Sequence, residues 1–168
     1  MSLIHDSIAF HNVAELEAVP GMPGLRLQRF PAAVRDALGF KSHKRGRFWS
    51  HRAAGCEIHF VTEGPFVRVS LSAVETDAVV LVYKGDCAHT RHVLPAGVVT
   101  SLFLEEPAWF SQVDPALTRG RRFAPTVWRL LFHKDASVGF HHLDSFGHAV
   151  RPPLEGETPA RTWLKASK

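Results

Sequence analysis

The reactive side chains of this chain gather in a few short stretches. Gly85-Asp86-Cys87 has the form of a Gly-Asp-nucleophile block, and Asp86-Cys87-Ala88-His89 matches an Asp-x-x-His string. A catalytic triad needs nucleophile, base and orienting carboxylate brought together from separate loops, with oxyanion donors facing the reacting carbon. Four consecutive residues cannot supply that geometry. The stretch reads as a hairpin turn, and no catalytic residue is assigned.

Eleven histidines raise the question of metal. His89 and His92 stand three apart on an expected strand, so they should point to opposite faces and not share an ion. His142 and Asp144 share a face, with His141 between them. His133 would approach them if the chain turned in a hairpin around Lys134-Asp135-Ala136. Two histidines and a carboxylate suit zinc or iron. A polar outer face with a hydrogen-bonded His–Asp pair accounts for the same residues, and we assign neither metal nor other cofactor. Tyr83, Trp109, Trp128 and Trp163 have rings able to stack on a sugar, although aromatics spread along a β protein are more often core. Tyr83, Trp109, His142 and Asp144 are the residues singled out as ligand-binding.

A chain of 168 residues suits one domain, able to bury roughly 70% of the surface exposed when unfolded. Its only cysteines, Cys56 and Cys87, form no CxxC pair and read as free thiols in a reducing cytoplasm. Met1 to Phe10 lacks the pattern of a signal peptide, and no apolar run approaches the ~20 residues of a membrane helix. The net charge is +4. Its basic clusters, Lys41, Lys44, Arg45 and Arg47, then Arg119, Arg121 and Arg122, lie in Gly-containing, loop-like sequence. Phe48, Trp49 and Phe123 stand beside them but begin expected strands. The clusters read as solvated loops, and neither nucleic acid nor membrane is expected as a partner.

The element that orders the chain runs from Cys56 to Tyr83. Val67, Val69, Leu71 and Ala73 alternate with Arg68, Ser70 and Ser72, the period of two of a half-buried strand. Cys56, Ile58 and Phe60 alternate in the same way. Ala78 to Tyr83 is apolar throughout, as in a strand covered on both faces. Turns near 64, 76, 85 and 96 recur at about the 8–12-residue interval of an all-β sandwich or barrel. Upstream, His11 to Val19 alternates weakly, and PAAVRDALG, residues 31–39, has Pro at its first turn and Gly at its end, a helix signal. Phe48 to Ala53 reads as a strand. Val127 to Phe132 and Val138 to Leu143 read as a closing hairpin. Pro152, Pro153 and Pro159 exclude a core strand. The expectation is an all-β, antiparallel two-sheet β-sandwich, jelly-roll-like, over residues 1–148, with one short helix near 31–39. An extended proline-rich tail or linker, 149–168, follows.

Three strings carry a resemblance: GCEIHFVTEGPFVRVSLSA, FLEEPAWFSQVDP and HHLDSFGHAVRPP. From about His11 to Trp163 the chain resembles the N-terminal β-sandwich that precedes the catalytic domain in a group of SGNH/GDSL-type esterases and acyltransferases. That layout is similar to carbohydrate esterase family 2, whose N-terminal jelly roll looks like a carbohydrate-binding module. The resemblance implies a non-catalytic accessory domain with a C-terminal SGNH catalytic domain as partner. It also implies a glycan or glycosylated substrate as ligand. In such proteins the segment after the equivalent of Trp163-Leu164 enters the first catalytic block. Here Lys165-Ala166-Ser167-Lys168 lacks the Gly-x-Ser context, so Ser167 takes no catalytic role. The alternatives are a stand-alone carbohydrate-binding module and a cupin-like metal enzyme using His133, His142 and Asp144.

Overall fold

The computed structural model describes residues 2–39, 45–118, 120–133 and 136–159. The strands are β1 (Ser2–His5), β2 (Ile8–His11), β3 (Glu15–Ala18), β4 (Leu25–Gln28), β5 (Glu57–Thr62), β6 (Phe66–Ala73), β7 (Ala78–Lys84), β8 (Cys87–Leu94), β9 (Val99–Glu105), β10 (Val127–His133), β11 (Val138–Asp144) and β12 (Val150–Arg151). One sheet has the order β1-β2-β5-β10-β7-β8, with β12 pairing β5 beyond the end of β2; the other has the order β3-β4-β11-β6-β9.

The order follows from nested antiparallel pairs. β7 pairs β8, β6 pairs β9, β5 pairs β10 and β4 pairs β11. Successive pairs alternate between the sheets. One long hairpin, with its tip at Gly85-Asp86, is thus wound into a sandwich, which is the jelly-roll topology. Period two does the packing. Val67, Val69 and Leu71 of β6 face Ile58 and Phe60 of β5, Val80 and Val82 of β7, and Trp128, Leu130 and Phe132 of β10 in one buried core. β7 is apolar on both sides: Val80 and Val82 enter the core, and on the outer side of the sheet Val79 is buried and Leu81 and Tyr83 half-buried. The long connection 106–126 returns over that face, where Phe123 is buried against Val61 and Val127.

Four parts of the fold differ from the sequence reading. The N-terminal hairpin β1–β2 turns through Asp6 and Ser7, both at positive φ, 47° and 64°. Two such angles belong to the tight turn that strand twist favours, but Asp-Ser signals it less strongly than Asn-Gly. Second, α1 (Ala32–Gly39) is followed not by a strand but by α2 (Arg45–Ser50). Gly46 permits the approach, since a Cβ there would stand 2.8 Å from the Leu38 carbonyl oxygen. Lys41 and Lys44 lie outside the described residues. Third, β10 and β11 form no hairpin. His133 pairs with Val79 in one sheet and Val138 with Ala73 in the other. The link between them crosses the sandwich, held by Ala53 N–H on the Ala136 carbonyl (2.8 Å), Val74 N–H on that of Ser137 (3.0 Å) and Ser137 Oγ on that of His51 (2.8 Å).

Fourth, the proline-rich segment starts as an edge strand, with Val150 opposite Thr62 and Arg151 opposite Val61. It is then clasped to the body. Arg151 donates from both Nη atoms to Glu157, at 2.7 and 2.8 Å, and the Glu157 carbonyl accepts from Ala124 N–H at 2.8 Å. Trp163, Leu164 and Ser167 lie outside the described residues. The Arg151 hydrogen bonds pull the Glu157 carboxyl down to about 2 from an ordinary 4.5. A group depressed in the folded state contributes stability above its unfolded value and loses it as the pH falls through the folded one. The clasp should therefore weaken between pH 4.5 and about 2. Amide-exchange protection at Ala124 is expected to drop in that window before protection at Leu130 does; equal loss at both would refute the clasp. Among the described residues, no helix is long and apolar enough to cross a membrane.

Candidate functional site

With Val67, Val69 and Leu71 turned inward, β6 sets Phe66, Arg68, Ser70 and Ser72 on the outer face of the five-stranded sheet. Across β9 they meet Glu105, Phe103, Ser101 and Val99. Across β11 Arg68 meets Asp144, Ser70 meets His142 and Ser72 meets Gly139. The register shifts between Phe140 and His142. That bulge lets His141 join the same face as His142, where its Nε2 lies 2.8 Å from Ser72 Oγ.

The face carries a cluster of phenyl rings. Phe66 stacks on Phe103 at 5.4 Å between centroids and meets the Phe146 ring edge-on at 5.0 Å. Phe103 is 54% exposed and Phe146 44%. Phe146 sits at φ +54°, a region that side chains other than those of Gly, Asn and Asp rarely adopt. Asp144 holds it there. One carboxylate oxygen accepts Phe146 N–H at 2.9 Å and the other accepts Arg68 Nη2 at 2.7 Å, while the Arg68 guanidinium lies 5.3 Å from the Phe146 ring centre. The Phe146 amide first, and Arg68 after it, hold the Asp144 carboxyl below its usual range. Beside the rings, Ser70 and Ser101 share a hydroxyl hydrogen bond of 2.9 Å. An apolar area flanked by hydroxyls, a guanidinium and carboxylates can stack on the C–H face of a sugar and bond its hydroxyls. A half-exposed ring held in a disfavoured backbone conformation is the kind of feature that marks a binding site.

The same face also brings one hydroxyl and one imidazole together. Ser72 and His141 touch, and burial lowers the His141 pKa. Yet Ser72 stands within the sheet, paired between Val99 and Gly139, and no described carboxylate reaches His141. Among the described residues no oxyanion donor or orienting carboxylate is placed beside this pair.

Of the residues singled out in the sequence, His142 and Asp144 fall on this face. Tyr83 lies on the outer side of the other sheet, half-buried, with the Arg129 guanidinium 5.1 Å from its ring centre. Trp109 is 56% exposed on a 3-10 turn, Ala108–Gln112, in the connection after β9. His133 stands in the opposite sheet from His142, so the expected His133–His142–Asp144 grouping does not form. Among the described residues no three His, Cys, Asp or Glu side chains are placed to hold a metal ion. Cys87 opens β8 at the hairpin tip, where Asp86 accepts the Arg122 amide at 2.6 Å. Cys56 is buried, which pushes its thiol up to about 12. His89 corrects the opposite-face expectation. A register shift at Val82 and Tyr83 takes it out of alternation, and it and His92 both bond the Thr90 hydroxyl, at 3.0 and 2.9 Å.

Sequence reasoning missed Phe66, Arg68, Phe103 and Phe146. A signal existed for Phe103, a large apolar residue at the solvent phase of β9 between inward Leu102 and Leu104. None existed for Phe146, which a tight turn places.

No protein-family model matches the sequence, and no curated protein matches it. Among solved structures the chain is similar to the salicylyl-acyltransferase SsfX3 from a tetracycline biosynthetic pathway, with a TM-score of 0.66 and 13% identity. The likeness covers 92% of this chain and 42% of that one, so this chain spans less than half the length of the acyltransferase it matches. At that identity the likeness is one of fold, the two-sheet sandwich.

Proposed function

We propose that this chain is a non-catalytic accessory domain of an SGNH/GDSL-type esterase or acyltransferase, working beside a C-terminal catalytic domain. The observation that carries this reading is the asymmetry of the match: nearly all of this sandwich aligns with under half of an acyltransferase. The ties that hold Ser72, Cys87 and His89 in ladders and turns support it. The outer face of the five-stranded sheet is offered to a glycan or glycosylated substrate, with Phe103 and Phe146 as the stacking surface and Arg68, Asp144 and His142 as its polar contacts. The half-exposed thiol of Cys87 fits a reducing, cytoplasmic setting.

The chain alone should hydrolyse p-nitrophenyl acetate at the buffer rate. Turnover removed by Ser72→Ala or Cys87→Ala would overturn the reading. On a glycan array, binding by the wild-type chain should weaken about tenfold in Phe103→Ala or Phe146→Ala, the loss expected of one stacking contact. Binding unchanged in both variants would remove the sheet face from the proposal. A stand-alone carbohydrate-binding module is the second reading, favoured by the exposed rings. Tight glycan binding with no effect on any catalytic domain supplied in trans would select it.

A further inference from the structure

A cleft lies away from the phenyl cluster. It has a volume of about 890 Å³, within the range of small-molecule sites. Its walls come from three places in the chain: β1 at the edge of one sheet, the corner at residues 12–14 where the chain crosses between sheets, and residues 29–30 between β4 and α1. Leu3, Ile4, Val13 and Phe30 make the lining largely apolar, and Asn12 adds one amide. Val13 is buried at the floor, and Ile4 is 55% exposed at the rim.

Arg29 is the cation of this lining. Among the described residues it forms no ion pair or hydrogen bond, and its guanidinium carbon lies 5.3 Å from the centre of the Phe30 ring. Arg29 is exposed, and several other arginines of the fold differ from it in being paired. Arg35, Arg52, Arg68, Arg129 and Arg151 each face a carboxylate. Arg29 lines the cleft together with Asn12 and Val13 of the corner, and the buried Cys56 thiol behind that corner bonds the Asn12 carbonyl at 3.3 Å.

We infer that this cleft binds an amphipathic organic carboxylate, with its apolar body on Leu3, Val13 and Phe30 and its carboxylate on Arg29. Apolar walls alone would take any greasy ligand. The guanidinium is what selects, since its fork matches a carboxylate in a bidentate pair. Opposite charge from the ligand also supplies the partner that Arg29 lacks among the described residues. The net charge of +4 favours an anion over a cation as ligand.

Decanoate is the probe, followed by amide chemical-shift mapping and calorimetry on the whole chain. Shifts are expected at residues 2–4, 12–14 and 29–30. Arg29→Gln should weaken decanoate about tenfold, the worth of a charge-assisted pair, and leave the weaker binding of decyl alcohol unchanged. Ile4→Glu, at an exposed position, should also weaken decanoate by placing a like charge at the rim. Equal affinity of the wild type and Arg29→Gln for decanoate would overturn the inference. So would equal affinity of the wild type for decanoate and decyl alcohol, shifts confined to another surface, or no binding at millimolar concentration. Arg29→Gln should leave glycan-array binding at the phenyl cluster intact, which separates this site from that one.

Discussion

Arg129→Met is expected to remove about 3 kcal/mol of folding stability, read from urea unfolding, because it strands a largely buried carboxylate. Arg129 is buried on the outer side of the larger sheet. Its Nε and Nη2 both donate to Glu57 Oε2, at 3.1 and 2.9 Å, and Nη1 donates to the Gly85 carbonyl at 3.2 Å. Its guanidinium is clamped between aromatic rings, 3.7 Å from the centre of Phe123 and 5.1 Å from that of Tyr83. Met keeps much of the stem's apolar contact, so the loss isolates the charge. Glu57 would retain only His59, whose Nε2 lies 2.8 Å from Oε2.

The pH dependence gives a second reading of the same variant. Burial pushes the Glu57 carboxyl up, but the His59 hydrogen bond and the Arg129 charge outweigh it, and the net shift is downward from 4.5. In the wild type this group therefore contributes stability above pH 4.5 and loses it as the pH falls through the lower folded value. Without Arg129 burial has much less opposition. The shift should turn upward, and the variant's deficit should shrink as acid protonates Glu57. The double variant Glu57→Gln, Arg129→Met should recover part of the deficit at pH 7, since an uncharged amide is cheaper to bury than a lone carboxylate. A deficit below about 1 kcal/mol, the range of an exposed ion pair, would show that Glu57 finds water in place of Arg129.

Arg129 also shows where sequence reading stops. In VWRLLF a period of two puts Arg129 opposite in phase to Trp128 and Leu130, and a charged residue in that phase reads as solvent-facing. Arg129 takes that phase and is nevertheless buried, because Phe123 of the connection 106–126, distant in sequence, covers that face. Alternation tells which side of a strand a residue takes. It does not tell which sheet the strand joins or what lies above it. That is why the phases of β5, β6 and β7 are legible, while β10 and β11, adjacent in sequence, suggest a hairpin although they belong to opposite sheets. The bulges at His89 and His141 break alternation locally, and nothing in the residue types announces them. His142 and Asp144 were legible as a pair two apart. The rings that make their surroundings apolar were not, because Phe66 and Phe103 come together across strands and Phe146 arrives on a turn.

Trp128→Ala should likewise cost about 3–5 kcal/mol, whereas Phe103→Ala should stay within about 0.5 kcal/mol of the wild type. Both rings are aromatic residues on strands, and by type alone Trp128 is the better sugar platform. The difference is the side of the sheet. Trp128 is 1% exposed, with the His89 ring edge-on at 5.1 Å and the Lys84 ammonium 4.6 Å from its centre. Lys84 is itself buried, with Glu106 at 3.0 Å. Burial lowers its pKa against the pull of Glu106. Removing the indole leaves a cavity in the core and takes from a buried cation the ring face that compensates part of its lost hydration. Trp128→Phe should fall between the two, keeping a ring over Lys84 but leaving part of the space unfilled. Urea unfolding of the three variants, run beside their glycan-array binding, separates core from platform. If Trp128→Ala stays within about 1 kcal/mol of the wild type yet loses glycan binding, the indole is a ligand surface and the core assignment fails. If it is destabilised as expected while Phe103→Ala binds poorly and unfolds normally, the inner side of the sandwich carries the stability and the outer side of the smaller sheet carries the recognition.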